Sequence, residues 1–415
     1  MCWSGKGPSR SAPAGGEIEK QRFPYTIFIY ANAGVFCDGY ILSSVGLALI
    51  TLTPHFQLNA LTTGLIGGAT LFGILVGAPI FGHLTDRHGR RILMIADLSA
   101  FVVIAIAQIF ATAAWELIAL RFLLGVAIGA DYPIATAIVA EFTPQRWRGA
   151  ALSAMEGIWS LGAAVAYVSG YALLRTGPES WKWILASPAI FAIGGLLLRA
   201  SAPESPMWLA ARDAGELERV SFGRLFHSAF RGKLAFVSVM WLLQVVPLFA
   251  IYTYAPSVLS ALGLSNSGSP AGSIAITAAF ACGAFIAMPL LGRWGRRPVC
   301  IAGFAAATVA FAILPFSGTA IVVLCFMGYA LGMGAATVLE LVYPAELFPT
   351  AIRASAAGFS AGISRVGAFI GTFLLPIGIA RFGITAVILG ASALSAIGLA
   401  ISVLWAPETK GATIA

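Results

Sequence analysis

The sequence predicts an all-α integral membrane fold of twelve transmembrane helices, arranged as two six-helix bundles related as parallel repeats. Three observations carry this. Apolar runs of about 20 residues, each long enough to cross about 30 Å of hydrocarbon, recur along nearly the whole chain. Lys and Arg crowd onto alternate connections between the runs. Three polar motifs of the first half return in the second at a nearly constant offset.

Of 415 residues, 59% are hydrophobic and 10% charged, against about 25% charged in soluble domains. No soluble core absorbs that composition. The spans begin near residues 25, 63, 91, 115, 150 and 183, then 234, 271, 298, 319, 354 and 382. Residues 1–22 form a polar tail without the apolar stretch and small-residue cleavage site of a signal peptide. The expected organisation is a tail (1–22), a bundle (23–200), a linker (201–233), a second bundle (234–406) and a short tail (407–415).

Of the 25 Lys and Arg residues, Arg175, Lys182 and Arg381 fall in segments on one side and Arg121 and Arg365 within spans. The remainder collect on the side of the N-terminus, which places both termini in the cytoplasm of a cell inner membrane. The net charge of +8 is spread through short connections, which argues against a nucleic-acid partner. Cys2, Cys37, Cys282, Cys300 and Cys325 contain no CxxC pair and imply neither a disulfide framework nor a metal site. No cofactor is expected.

The repeats are specific. Asp86-Arg87-His88-Gly89-Arg90-Arg91 returns as Gly292-Arg293-Trp294-Gly295-Arg296-Arg297, offset by 206. Glu141, Pro144 and Arg148 return as Glu346, Pro349 and Arg353, offset by 205, and Pro203-Glu204-Ser205 returns as Pro407-Glu408-Thr409, offset by 204. Six helices separate the copies, so the halves share one orientation and a substrate path is expected between them.

These motifs resemble the major facilitator superfamily. The loop Gly82 to Arg91 is similar to its loop between the second and third helices, and Arg121 to Gly129 (R-F-L-L-G-V-A-I-G) to its fourth-helix motif. Pro203-Glu204-Ser205-Pro206 and Pro407-Glu408-Thr409-Lys410-Gly411 resemble the sugar-porter branch. Gly129-Ala130-Asp131-Tyr132-Pro133 is similar to phosphate-proton symporters, and Asp38-Gly39-Tyr40 to aromatic-acid-proton symporters. Glu156 stands where sugar porters carry a sugar-binding Gln, and Phe249 replaces an Asn near Gln244. These departures argue against an ordinary hexose, and Gln244, standing where phosphate symporters carry an acid, argues against phosphate.

An ionisable group at mid-membrane costs about 2.5 to 3.5 kcal/mol and so needs a partner or an aqueous path. Asp38 lies about thirteen residues into the first span and Arg121 about six residues below the outer end of the fourth, depths read as similar. The resemblance implies that the two form a proton-coupling pair; a permanent packing salt bridge is the alternative. Asp131 is a second proton or substrate group, or else is satisfied by a neighbour. Glu156, Glu340 and Arg365 are candidate substrate contacts together with Trp159, Gln244, Phe249 and Tyr252. Arg365 either clamps a carboxylate or phosphate or pairs with Glu340, and the aromatic residues either wall the pocket or pack. Asp86, Arg90, Arg91, Glu141, Arg148, Arg297, Glu346 and Arg353 are expected to form a cytoplasmic gate holding the halves together.

The expected function is secondary active transport by alternating access, as a monomer, with protons and a small polar or organic-anion solute as partners. A proton-driven exporter is the alternative. With no catalytic metal or nucleophile motif, an enzyme is not expected.

Overall fold

A bilayer offers the backbone no hydrogen-bond partners, so each crossing segment must satisfy its own by coiling. The computed structural model describes residues 24–205, 208–209, 213, 226–265 and 268–410, except the side chains at 82–83, 86–87, 132, 140, 145–146, 148–149, 153, 320, 350–351 and 353–354. Every regular element among these is helical. The expected tail 1–22, most of the linker 201–233 and residues 411–415 lie outside the described residues.

The first bundle comprises α1 (Tyr25–Phe56), α2 (Ala60–His88), α3 (Arg90–Ala107), α4 (Ala114–Phe142), α5 (Gln145–Leu173) and a sixth span in two pieces, α6 (Ser180–Ala186) and α7 (Pro188–Arg199). The second comprises α8 (Ser228–Ala261), α9 (Gly268–Trp294), α10 (Arg296–Ile313), a tenth span split into α11 (Thr319–Thr337) and α12 (Leu339–Leu347), and α13 (Thr350–Trp405). Eleven helical stretches are long and apolar enough to cross a membrane, and the last, Ser355–Trp405, has 51 residues. At 1.5 Å per residue that is about 75 Å, more than two crossings. Gly383, at φ 79° and ψ 163°, breaks it into the eleventh and twelfth spans. The protein is therefore a multi-pass membrane protein with twelve crossings in two six-helix bundles. Span starts agree with expectation to within a few residues, the seventh beginning at Ser228 rather than near 234.

Glycines set the closest helix approaches, because a Cβ would strike the neighbouring backbone. A Cβ on Gly125 would lie 2.0 Å from the Thr70 carbonyl oxygen, joining α4 to α2. One on Gly39 would lie 2.0 Å from that of Trp159, joining α1 to α5. The same device joins the bundles at the end that carries the α1–α2 turn. There a Cβ on Gly46 would lie 2.2 Å from the Thr253 carbonyl oxygen of α8, and one on Gly64 2.4 Å from that of Phe373 on α13.

At the opposite end each bundle is tied to itself. Gly89 and Gly295, at φ 93° and 95°, divide α2 from α3 and α9 from α10. Beyond them, the Arg90 and Arg91 amides donate to Glu204 at 2.9 and 3.2 Å, and the Arg296 and Arg297 amides to Glu408 at 3.0 and 3.2 Å. These carboxylates cap the first turns of α3 and α10, where four N–H groups lack intrahelical partners.

Candidate functional site

The motif residues expected as a gate form one node in each bundle. Arg90 pairs with Glu141 at 2.7 Å and Arg296 with Glu346 at 2.5 Å. Ser205 donates to Glu141, and Thr409 to Glu346. Arg91 and Arg297 donate to the Ala200 and Val403 carbonyls at 3.0 and 2.6 Å. Each of these described ties lies within a bundle. The partner of Glu346 is Arg296 rather than Arg297, as the 206-residue offset from Arg90 requires. The Asp86, Arg148 and Arg353 side chains lie outside the described residues.

The expected pairing of Asp38 with Arg121 is not formed. Arg121, 1% exposed, donates through Nε to the Ile66 carbonyl at 2.8 Å and faces Tyr254, whose hydroxyl donates to the Thr63 carbonyl at 2.8 Å. The reason is helix length. At 32 residues α1 is about 48 Å long, so Asp38 is less than halfway along it, while Arg121 sits near the opposite end of the bundle.

The charged groups that act on Asp38 are instead Asp131, Asp97 and Arg199, with Arg365 after them. Arg199 is fully buried and reaches Asp131 Oδ1 at 2.6 Å and both Asp97 carboxylate oxygens at 3.1 Å. Asp131 Oδ2 and Asp38 Oδ1 are buried without a hydrogen-bond partner among the described residues. Neither Asp97 nor Arg199 was expected. The cost of burying Asp38 applies equally to Asp97 within the third span, and Arg199 had the position of a loop base, four residues before Pro203.

Between the bundles, the remaining candidates converge. Gly39 against Trp159 brings α1 and α5 together next to Asp38. The Trp159 ring stands edge-on to Tyr252 and Phe249, with centroids 4.9 and 5.8 Å apart. Arg365 on α13 lies over Phe249, 5.4 Å from its centroid. Glu340 interacts electrostatically with Glu156 and Arg365, and Asp38 with Arg365. Glu156, Trp159 and Arg365 are half-buried, whereas Phe249, Tyr252, Gln244 and Glu340 are buried. Both polar atoms of the Gln244 amide and Glu340 Oε1 have no hydrogen-bond partner among the described residues.

One bond crosses this layer through the main chain. Pro256 has no N–H to give the Tyr252 carbonyl, and the helix deviates at Tyr254 (φ −121°, ψ 18°). The Tyr167 hydroxyl of α5 donates to that carbonyl instead.

The sequence matches the family described as "Sugar (and other) transporter" over residues 31–229 and again over 213–415. It is 38% identical over 413 residues to the putative metabolite transport protein YaaU of Escherichia coli (strain K12), covering 94% of this chain and 93% of that protein. It is 34% identical to the inner membrane metabolite transport protein YgcS of the same organism, covering 95% and 94%. Its fold is similar to the crystal structure of a D-xylose-proton symporter, with a TM-score of 0.80 at 20% identity, covering 94% of this chain and 100% of that one. With twelve spans, two repeated motif nodes and a polar site between the bundles, the chain belongs to the sugar (and other) transporter family of the major facilitator superfamily, a family of membrane transporters rather than enzymes.

Proposed function

We propose that the protein is a proton-coupled symporter that takes a small organic anion or similarly polar solute across a cell inner membrane, both termini being cytoplasmic. The observation that carries this reading is Arg365, set over Phe249 and within electrostatic reach of both Asp38 and Glu340. A guanidinium in this position binds a carboxylate with directed, charge-assisted hydrogen bonds. Trp159, Phe249 and Tyr252 supply an apolar wall for the body of the solute, and Glu156, Glu340 and Gln244 supply polar contacts.

Asp38 is the link to protons, because its charge and the solute's both act on Arg365. With Asp38 ionised, Arg365 is partly neutralised; a proton on Asp38 leaves the guanidinium to the solute. Release at the other face reverses the order. The bundles 23–200 and 234–406, working as a monomer, rock about this layer and separate at the contacts of Gly46 and Gly64. Coupling to protons is supported by likeness to a D-xylose-proton symporter, and the metabolite transport relatives support a small-molecule cargo.

The test uses purified protein screened by thermal shift against aromatic and aliphatic monocarboxylates, their uncharged amides, and pentoses, with hits taken into proteoliposomes. Carboxylates are expected to stabilise the protein and amides not. Asp38→Asn, which cannot ionise, is expected to abolish uptake against a gradient driven by imposed pH while leaving solute exchange intact. Accumulation by Asp38→Asn under a pH gradient refutes its role. Amides that stabilise as well as carboxylates refute the organic-anion assignment.

A further inference from the structure

The symport reading leaves Asp38 without its expected counter-ion, because Arg121 is bonded elsewhere. Resting on that reading, we infer that Arg199, braced by Asp97, is the cation that sets proton binding in the first bundle, and that Asp131 and Asp38 are the carboxyls that take the transported proton.

Arg199 uses its whole fork. Nε donates to the Tyr30 carbonyl at 2.9 Å, Nη1 to the Met94 carbonyl at 2.9 Å and to Asp97, and Nη2 to the Ala31 carbonyl at 3.1 Å and to Asp131. It cannot take another acceptor without giving one up. The titratable and charged groups around Asp38 and Asp131 are Cys37 on α1, Asp97 on α3, Arg199 on α7 and, from the second bundle, Arg365 on α13. Three carboxylates thus surround one buried guanidinium, with Arg365 the next cation. All three cannot be ionised at low cost in a region closed to water.

The geometry says where the proton goes. Both Asp97 oxygens lie on Arg199, and Oδ1 also accepts the Leu98 amide at 2.5 Å. Asp131 spends only Oδ1 on Arg199 and lies against the Asp97 carboxyl, while its Oδ2 and Asp38 Oδ1 are buried and accept no hydrogen bond among the described residues. Gly34, one turn before Asp38 on α1, lets the two acids face each other, because a Cβ there would lie 2.1 Å from Asp131 Oδ1. Protonation of Asp131 loosens its hold on Arg199, which also grips α1 through the Tyr30 and Ala31 carbonyls, so proton binding is transmitted to the helix that carries Asp38.

Infrared difference spectroscopy of the reconstituted full chain, titrated across pH with no solute present, reads protonated carboxyl groups directly. Asp131→Asn and Asp38→Asn are each expected to change the protonated-carboxyl band. Arg199→Lys, which keeps the charge but loses the fork, is expected to move the midpoint upward by about 1 to 3 pH units, and Arg121→Gln to leave it in place. A midpoint that follows Arg121→Gln and ignores Arg199→Lys overturns the assignment, as does a band indifferent to both Asp variants. If Arg199→Lys does not fold, the charge-balanced Arg199→Gln/Asp97→Asn replaces it, and an unmoved midpoint in that protein also overturns the assignment. Loss of pH-driven uptake with the expected titration intact sinks the symport reading alone; an unshifted titration sinks the role of Arg199 alone.

Discussion

Arg90 at the start of α3 meets Glu141 at the end of α4 at 2.7 Å, and neither side chain is more than 14% exposed. Its repeat, Arg296 with Glu346, closes at 2.5 Å in the second bundle. Because Glu141 also accepts from Ser205, removing it strands a base and a hydroxyl together. A double-mutant cycle of Arg90→Ala and Glu141→Ala, read by unfolding in detergent, is expected to give a coupling of about 0.5 to 2 kcal/mol. A comparable value is expected for Arg296 and Glu346, and additivity at both nodes contradicts the paired geometry.

Glu408 lies outside the spans and turns its node into a pH-sensitive one. Partial burial pushes its carboxyl up, but the Arg296, Lys410 and Arg297 amides donating to it outweigh this and hold it below its ordinary value of 4.5. A depressed carboxyl contributes stability that is present above the unfolded value and is lost as pH falls through the folded one. Glu408→Gln is therefore expected to lower Tm at about pH 7 and to lower it much less once both proteins are taken below about pH 4. A deficit that grows on acidification contradicts the cap.

Arg365 and Glu156 separate binding from packing. Arg365→Ala is expected to weaken an anionic solute by about 2 kcal/mol or more, roughly 30-fold in Kd, while the unliganded Tm stays nearly unchanged. Glu156→Gln should alter solute preference with the same small effect on Tm. Intact affinity with a fall in unliganded Tm identifies packing residues instead. Isothermal calorimetry and thermal shift on one preparation decide between the two.

Gly46 tests the closure between α1 and α8. A side chain there would run into the Thr253 carbonyl, which is backbone and cannot yield. Gly46→Val is expected to shift the population toward the state in which this end is parted. The thiol of a Thr253→Cys reporter, at a position 2% exposed in the closed arrangement, should then alkylate about tenfold faster. An unchanged rate means that the contact is not part of the rocking.

The spans and the repeated motifs are legible in the sequence because each depends on local information, whereas the pairing of Arg296 with Glu346 is not. A 20-residue apolar run specifies a crossing wherever it lies, and equal spacing in two copies specifies equal contacts. The acid cluster was not legible, because depth depends on where a helix starts and stops. Asp38 and Arg121 lie at one depth only in spans of standard length, and the 32-residue α1 is longer than that. Arg199 was hidden for the opposite reason: at the last residue of α7 it had the position of a topogenic base, and only the packing of α1 and α3 around it shows that it is buried. Trp159, Phe249, Tyr252 and Arg365 meet because their helices face the interbundle layer.

The bond from the Tyr167 hydroxyl to the Tyr252 carbonyl bears on how such a protein can diverge. A closure contact made to main chain persists whatever side chain stands at that position, provided Pro256 keeps the carbonyl unclaimed by its own helix. The hydrogen bond between the bundles at this point therefore does not depend on which side chain stands at 252, although the Tyr252 ring also packs on Trp159. Descendants can exchange that ring for another shape while this main-chain bond between the bundles is kept.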